Sequence, residues 1–341
     1  MRNCLTDISG LRVGHAHDET LRSGVTAVIF DRPAIAAASL LGGAPAVRDT
    51  ALLALENAVE RIDAIVLSGG SVYGLDATSG LHAAWRADGW GLPANPRPVN
   101  VPVVVQASLF DLTNGGAKDW TGPSPYLALG EHAVRNLTAD RSPLGSIGAG
   151  FGATTADLRG GLGAASSLTP QGHTIAAMVA VNAVGSTTLA GTRHFWAATF
   201  ERDGEFGDAG WPSPLPPGLD RLRVKQPDAW GTTTAAPPTG TVIGIVATDA
   251  ALTPAQAHRL AIAAQDGLAR AILPTHLARD GDVMFAASTE AAPLAADRDT
   301  FTELCLAATL TTARAIARGV HAAAPSPGPG CPPSWSERFA P

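Results

Sequence analysis

Ala235-Ala-Pro-Pro-Thr-Gly240 runs without a break into Thr241-Val-Ile-Gly-Ile-Val-Ala-Thr248, and the fold turns on how this junction is read. The left half is Pro- and Thr-rich and has no apolar periodicity, whereas the right half is a β-branched apolar run of the kind that fills a buried strand. A leader that meets a buried strand at a Gly-Thr bond has the parts of a self-cleaving precursor. They are an exposed peptide bond, a glycine tolerant of strained φ and ψ, and a hydroxyl beside the carbonyl it would attack. Cleavage between Gly240 and Thr241 would leave Thr241 N-terminal, with an α-amine of reference pKa about 7.7–8.0 as the base for its own hydroxyl. The same residues also fit an ordinary linker followed by an edge strand, because linkers are Pro-rich by default.

Upstream of the junction, residues 203–240 carry prolines at 212, 214, 216, 217, 227, 237 and 238 and lose all apolar periodicity, which predicts a mobile connector. Downstream, Thr253 and Pro254 supply an N-cap and a first-turn proline for a long helix reaching about Ile272, and residues 301–318 form another helix. From Ala322 the Pro- and Gly-rich composition of residues 322–341 predicts a flexible tail. Nearer the N-terminus, Val25 to Phe30, Ala64 to Leu67 and Val101 to Val105 read as strands, with helices over Asp49 to Glu60 and Leu75 to Asp88. Segment 145–164 holds too many glycines for a helix interior and reads as loops with short strands. Thr174 to Asn182 is a buried strand, Thr192 to Phe200 continues in strand fashion, and the pairing is expected to be a meander. No internal repeat is visible.

The chain has 341 residues, 45% of them hydrophobic, 5% aromatic and 16% charged, so its core must be built mainly from Ala, Val, Leu and Ile. The net charge is −6 and the Lys and Arg residues are scattered, which gives no basic footprint for nucleic acid or an anionic membrane. A small-molecule amide or short peptide is the expected partner. Cys4, Cys305 and Cys331 are odd in number and far apart, which favours reduced thiols in a cytoplasmic setting over a disulfide framework or a zinc site. The N-terminus has no apolar signal region and no uninterrupted apolar stretch reaches the ~18 residues of a membrane span. No cofactor or metal is implied.

Several stretches have the residue types that chemistry needs. Leu67-Ser-Gly-Gly-Ser-Val-Tyr-Gly74 lies at a strand-to-helix turn whose backbone N–H groups either cradle an anion or permit tight packing. Its spacing misses the G-x-S-x-G serine-hydrolase elbow by one residue, and there is no Walker lysine. Gly148-Ala-Gly-Phe-Gly152 lacks the preceding strand and acidic partner of a dinucleotide site. His15 and His17 lack a third ligand for a metal. Asp280-Gly-Asp282 places two carboxylates before an apolar strand, either as a turn or as acids that orient a nucleophile's hydroxyl and amine. Asn182 ends a buried strand, where its amide is either a turn former or a donor to a developing oxyanion.

In their order along the chain these motifs resemble the DmpA-type peptidase family, which includes L-aminopeptidase/D-esterases, β-aminopeptidases and nylon-oligomer hydrolases. The resemblance spans roughly residues 3–318. It is carried by Leu5-Thr-Asp-Ile-Ser-Gly-Leu-Arg-Val-Gly-His15, the Leu67 to Asp76 stretch, Gly148-Ala-Gly150, Val179-Ala-Val-Asn-Ala-Val-Gly185, Thr241 to Ala250 and Asp280-Gly-Asp282. It implies an α+β fold, a four-layer αββα sandwich of the N-terminal-nucleophile type, in a single domain (1–321) processed into chains 1–240 and 241–341. It further implies a tetramer of processed heterodimers and an amide hydrolase. Thr241 would be the nucleophile, Asn182 an oxyanion donor, and Asp280 and Asp282 the orienting acids, closest to the nylon-oligomer hydrolase branch. Ser71, Tyr73, Phe110 and Asp157 would contact substrate. Two positions depart from that branch: Phe110 stands for a tyrosine before Asp111, and Asp157 for a lysine, with Arg159 a partial substitute. An acid at 157 would favour substrates with a free amine unless it is a solvated loop residue. The rival readings are an acyltransferase of the ornithine acetyltransferase type and a non-catalytic small-molecule-binding relative.

Overall fold

Side chains alternate across successive strands, and three apolar layers result. A computed structural model of the chain describes residues 1–94, 97, 99–225, 239–295, 298–328 and 331–339. Its strands are β1 (Leu11–Asp18), β2 (Ser23–Leu40), β3 (Ala46–Arg48), β4 (Arg61–Ser68), β5 (Leu92–Pro93), β6 (Asn100–Val101), β7 (Val104–Ser108), β8 (Gly161–Leu168), β9 (Thr174–Asn182), β10 (Thr241–Ala250) and β11 (Val283–Ala292). The helices are α1 (Ser71–Gly74), α2 (Asp76–Asp88), α3 (Pro125–Arg135), α4 (Pro254–Ala271), α5 (Arg298–His321) and α6 (Trp335–Phe339). The main sheet runs β3-β7-β4-β2-β11-β10-β9-β8, with β1 on β2, while β5 and β6 form a separate pair.

The 18-residue β2 belongs to both halves of this sheet. Its first half pairs with β1 and β4, its register on β4 shifts between Ile29 and Ala34, and its second half pairs with β11. The two half-sheets therefore stack. Val28, Phe30, Ile65, Leu67 and Val105 from one meet Met178, Ile243, Ile245, Val283 and Phe285 from the other in a single core. Their sequence neighbours point the opposite way, as a strand's period of two requires. Ala27, Ile29, Ala64 and Val66 pack on Leu81 and Trp85 of α2 and Leu129 and Ala133 of α3. On the far side Val242, Val246, Met284 and Ala286 pack on Leu260, Ala264 and Leu268 of α4 and on Ile316 and Val320 of α5. The result is the αββα sandwich. α5 lies so close to β8 that a Cβ on Gly163 would sit 1.8 Å from the Ala315 carbonyl oxygen, which explains a glycine in a buried strand.

Thr253 caps α4 as its sequence predicts, accepting from the Gln256 N–H while Gln256 reaches back to the Thr253 backbone. Other expectations are corrected. Asp49 to Glu60 forms only a short 3₁₀ turn at Thr50–Leu53, because Leu53 alone is buried there and no packed apolar face sustains a helix. Thr192 to Phe200 ends in a 3₁₀ turn at Trp196–Phe200, not in a strand. The sheet is mixed and not a meander: β4 and β7 are parallel, as are β10 and β11. Residues 203–225 are anchored, with Phe206 1% exposed and Glu205 paired with Arg314 at 2.5 Å, while 226–238 lie outside the described residues. The tail is also docked. Ser334 is buried, and Trp335 stacks 6.1 Å from Phe195 and lies 4.6 Å from His321.

Candidate active site

Thr241 begins β10, the strand between β9 and β11, and that position gathers residues nearly a hundred apart in sequence. The antiparallel register with β9 sets Thr241 opposite Asn182. On the other side, the parallel approach to β11 bridges Gly240 to Asp280. The Asp280-Gly281-Asp282 turn thus runs alongside Gly240-Thr241-Val242.

Thr241 is 4% exposed, and its Oγ1 donates to the Gly240 carbonyl oxygen at 2.6 Å. The same oxygen accepts the Gly281 N–H at 3.1 Å. Asp282 is saturated with donors: Oδ1 accepts from Val242 N at 2.8 Å, and Oδ2 from Thr275 Oγ1 at 2.9 Å, His276 N at 3.1 Å and His276 Nδ1 at 2.9 Å. Burial works to lower the His276 pKa, but the hydrogen bond and charge of Asp282 outweigh it and raise the imidazole above its ordinary value. Asp280 differs. Its Oδ2 accepts the Leu277 N–H at 2.7 Å, whereas Oδ1 is buried with no hydrogen-bond partner among the described residues. Burial, then the neighbouring Asp282 charge, pushes its carboxyl up to about 7.

Asn182 is fully buried. Its Oδ1 accepts from Lys225 Nζ at 2.8 Å, Asn114 Nδ2 at 2.9 Å and Thr154 N at 3.1 Å, and its Nδ2 donates to the Phe110 carbonyl at 2.7 Å. Three donors on one oxygen fix which way the amide faces and leave the second Nδ2 hydrogen uncommitted. Lys225 keeps intermediate exposure as a whole residue, yet its ammonium is desolvated enough to be pushed down to about 7 against the opposing pull of Asp111 and Asp280. Beside it lies a cavity of about 190 Å³ lined by Thr113, Asn114, Thr154, Thr155, Lys225 and Thr239. Asn114 also lines a second cavity of about 440 Å³, with Arg22, Phe151, Arg159 and Cys331.

The remaining sequence candidates are dispersed. Phe110 enters through its carbonyl and not its ring. Asp157 does not line either cavity: its carboxylate is paired with Arg223 at 3.2 Å and Arg338 at 3.3 Å, so its charge is already balanced. Arg159 holds the tail through the Ala324 and Pro325 carbonyls and lines the larger cavity. Ser71 and the exposed Tyr73 line neither cavity. The glycine turn before them does cradle an acid, the chain's own Asp111, whose carboxyl burial pushes up. Asp111 accepts from Gly70 N at 2.8 Å and Ser23 Oγ at 2.6 Å, and a Cβ on Gly69 would meet its Oδ2 at 2.2 Å. Sequence reasoning missed His276, Asn114, Thr154 and Lys225. His276 stands four residues before Asp280 and was visible as a local His/Asp cluster, whereas Lys225 sits in an aperiodic segment with no signal at all.

The family model for peptidase family S58 matches residues 3–331. The chain belongs to peptidase family S58. It is accordingly a hydrolase of peptide or amide bonds. It is 36% identical over 344 residues to the uncharacterized aminopeptidase of Mycobacterium tuberculosis, covering 96% of each chain. It is 37% identical over 318 residues to that of Mycobacterium leprae, covering 87% of this chain and 81% of the other. Among solved structures it resembles a Burkholderia sp. beta-aminopeptidase (TM-score 0.69, 20% identity, 98% of this chain and 91% of that one). It also resembles the L-aminopeptidase D-Ala-esterase/amidase of Ochrobactrum anthropi, a variant of the Ntn hydrolase fold (TM-score 0.65, 19% identity, 97% and 89%). This S58 peptidase therefore shares the N-terminal-nucleophile fold. Among its described residues no helix is long and apolar enough to cross a membrane.

Proposed function

We propose that this S58 peptidase is a self-processing N-terminal-threonine aminopeptidase or amidase, with Thr241 the nucleophile both of its own maturation and of turnover. The observation that carries this reading is the 2.6 Å contact from Thr241 Oγ1 to the Gly240 carbonyl, which the Gly281 N–H already polarises. In maturation Oγ1 adds to the Gly240 carbonyl carbon and the C–N bond to Thr241 breaks. The hydroxyl proton passes to the departing nitrogen, and water then hydrolyses the resulting ester to a Gly240 carboxylate. The freed amine emerges in a strand flanked by Asp280, whose unpartnered Oδ1 supplies the acceptor a new ammonium needs.

In turnover the neutral amine takes the Oγ1 proton as Oγ1 attacks a substrate carbonyl, and the acyl-enzyme ester is resolved by water. The uncommitted Asn182 N–H is the donor to the developing oxyanion, and Asp282 holds the nucleophile's strand through the Val242 N–H. The names of the mycobacterial relatives and the solved neighbours point to substrates with a free amine. Asp157 does not provide that preference, since two arginines neutralise it.

Intact mass of the purified protein tests the maturation step: fragments of 240 and 101 residues (341 − 240) are expected, and Thr241→Ala should remain one chain. Cleavage at the same bond in the alanine variant would remove Thr241 from the role. For turnover, L-alanine p-nitroanilide should be hydrolysed faster than its N-acetylated form.

A further inference from the structure

We propose that Lys225 is a positioning residue for the S58 reaction, whose Nζ orients and polarises the Asn182 amide, and that this residue from upstream of the cleavage point is therefore a working part of the mature site. The inference rests on the reading of Thr241 as nucleophile and extends it to a residue that no motif marks.

The geometry is specific. Lys225 Nζ lies 2.8 Å from Asn182 Oδ1 and 3.4 Å from the Asn182 carbonyl oxygen, so one ammonium grips both the side chain and the backbone of the residue opposite Thr241. The position is held by backbone contacts at Val224 and Lys225 itself. Lys225 N donates to the Val184 carbonyl at 2.9 Å, and Val224 bridges Gly185. A donor on an amide oxygen, most strongly when Nζ is protonated, draws electron density from the nitrogen and makes its N–H a stronger donor, an effect that water would screen. The amide's second N–H is the one the proposed reaction uses as oxyanion donor. Asn114 and the Thr154 N–H also hold the oxygen, but both are neutral and supply orientation without charge. Among the described residues, no other Lys or Arg lines the smaller cavity beside Thr239.

The test uses the full-length protein matured by its own cleavage, with p-nitrophenyl acetate as the probe because it acylates a nucleophile without needing a leaving-group pocket. Lys225→Met keeps the stem and removes the charge. It should mature, melt near the wild-type temperature, and lose about 10–100-fold in kcat with KM within about twofold, a part of the 10²–10³ that one oxyanion donor is worth. Because Lys225 acts through Asn182, Lys225→Met made in an Asn182→Ala background should cost little more than Asn182→Ala alone. Added methylamine should restore part of the rate of Lys225→Ala and none of the rate of the Asn182→Ala, Lys225→Ala pair. Unchanged kcat in Lys225→Met, losses that multiply in the double variant, or absence of amine rescue would each overturn the proposal. Wild type that stays a single unprocessed chain by mass would instead overturn the nucleophile reading on which it rests.

Discussion

Two carboxylates separated by a single glycine behave differently here because their donors differ. Asp282 accepts four hydrogen bonds and organises His276, Thr275 and the β10 backbone. Asp280 accepts one and is pushed up to about 7, first by burial and then by Asp282. An acid whose folded pKa lies above its unfolded value holds a proton in the folded state that the unfolded chain has released. Between about pH 4 and 7 its contribution to stability therefore falls as pH rises. Unprocessed Thr241→Ala should show this slope in urea midpoints, and adding Asp280→Asn should flatten it. Parallel slopes in the two variants would mean that Asp280 titrates as an ordinary acid. After the proposed cleavage the new Thr241 ammonium should lower the Asp280 pKa, since an opposite charge favours the ionised form.

At the scale of elements, the docked tail is the largest departure from composition. Pro- and Gly-rich sequence argues against a packed domain, yet a few anchors suffice to fix it: Trp335 against Phe195 and His321, its Nε1 on the Arg193 carbonyl at 3.1 Å, and Arg338 on Asp157. Trp335→Ala should cost about 3 kcal/mol, near the low end for burying and losing an aromatic, read as a shift in urea midpoint at constant m. Because Ala324, Pro327 and Cys331 line the larger cavity, the same variant should also alter KM for substrates that reach it. Wild-type stability and KM would show the tail to be a passive appendage. The helix expected over Asp49 to Glu60 failed for the converse reason: apolar spacing was present, but no surface was there to receive it.

For the whole molecule, the strand order has a consequence for processing. β10 and β11, both downstream of Gly240, are hydrogen-bonded between β2 and β9, both upstream of it. The two products of cleavage would therefore share one sheet and two apolar cores. They are also joined by Arg314 and Arg318 on Glu205, with each guanidinium at most 5% exposed. The fragments should co-elute as one species in size exclusion under native conditions and separate only in denaturant. Elution of a free 101-residue piece from native protein would contradict this interleaved sheet.

Local rules were enough to single out Thr241, Asn182 and the Asp280-Gly-Asp282 pair as candidates, because each stands at the end of a strand whose apolar run is legible, and the order of motifs along the chain carried the αββα fold. Strand period and the Thr253 cap were equally plain. Their convergence was not, since it depends on β10 lying parallel to β11 and antiparallel to β9, a pairing fixed by the burial of three layers at once. Asp157 and Lys225 show the limit most clearly. Whether a charge faces a cavity, two arginines or the Asn182 amide is decided by chain segments tens of residues away. Only the tertiary structure brings those segments within hydrogen-bonding distance.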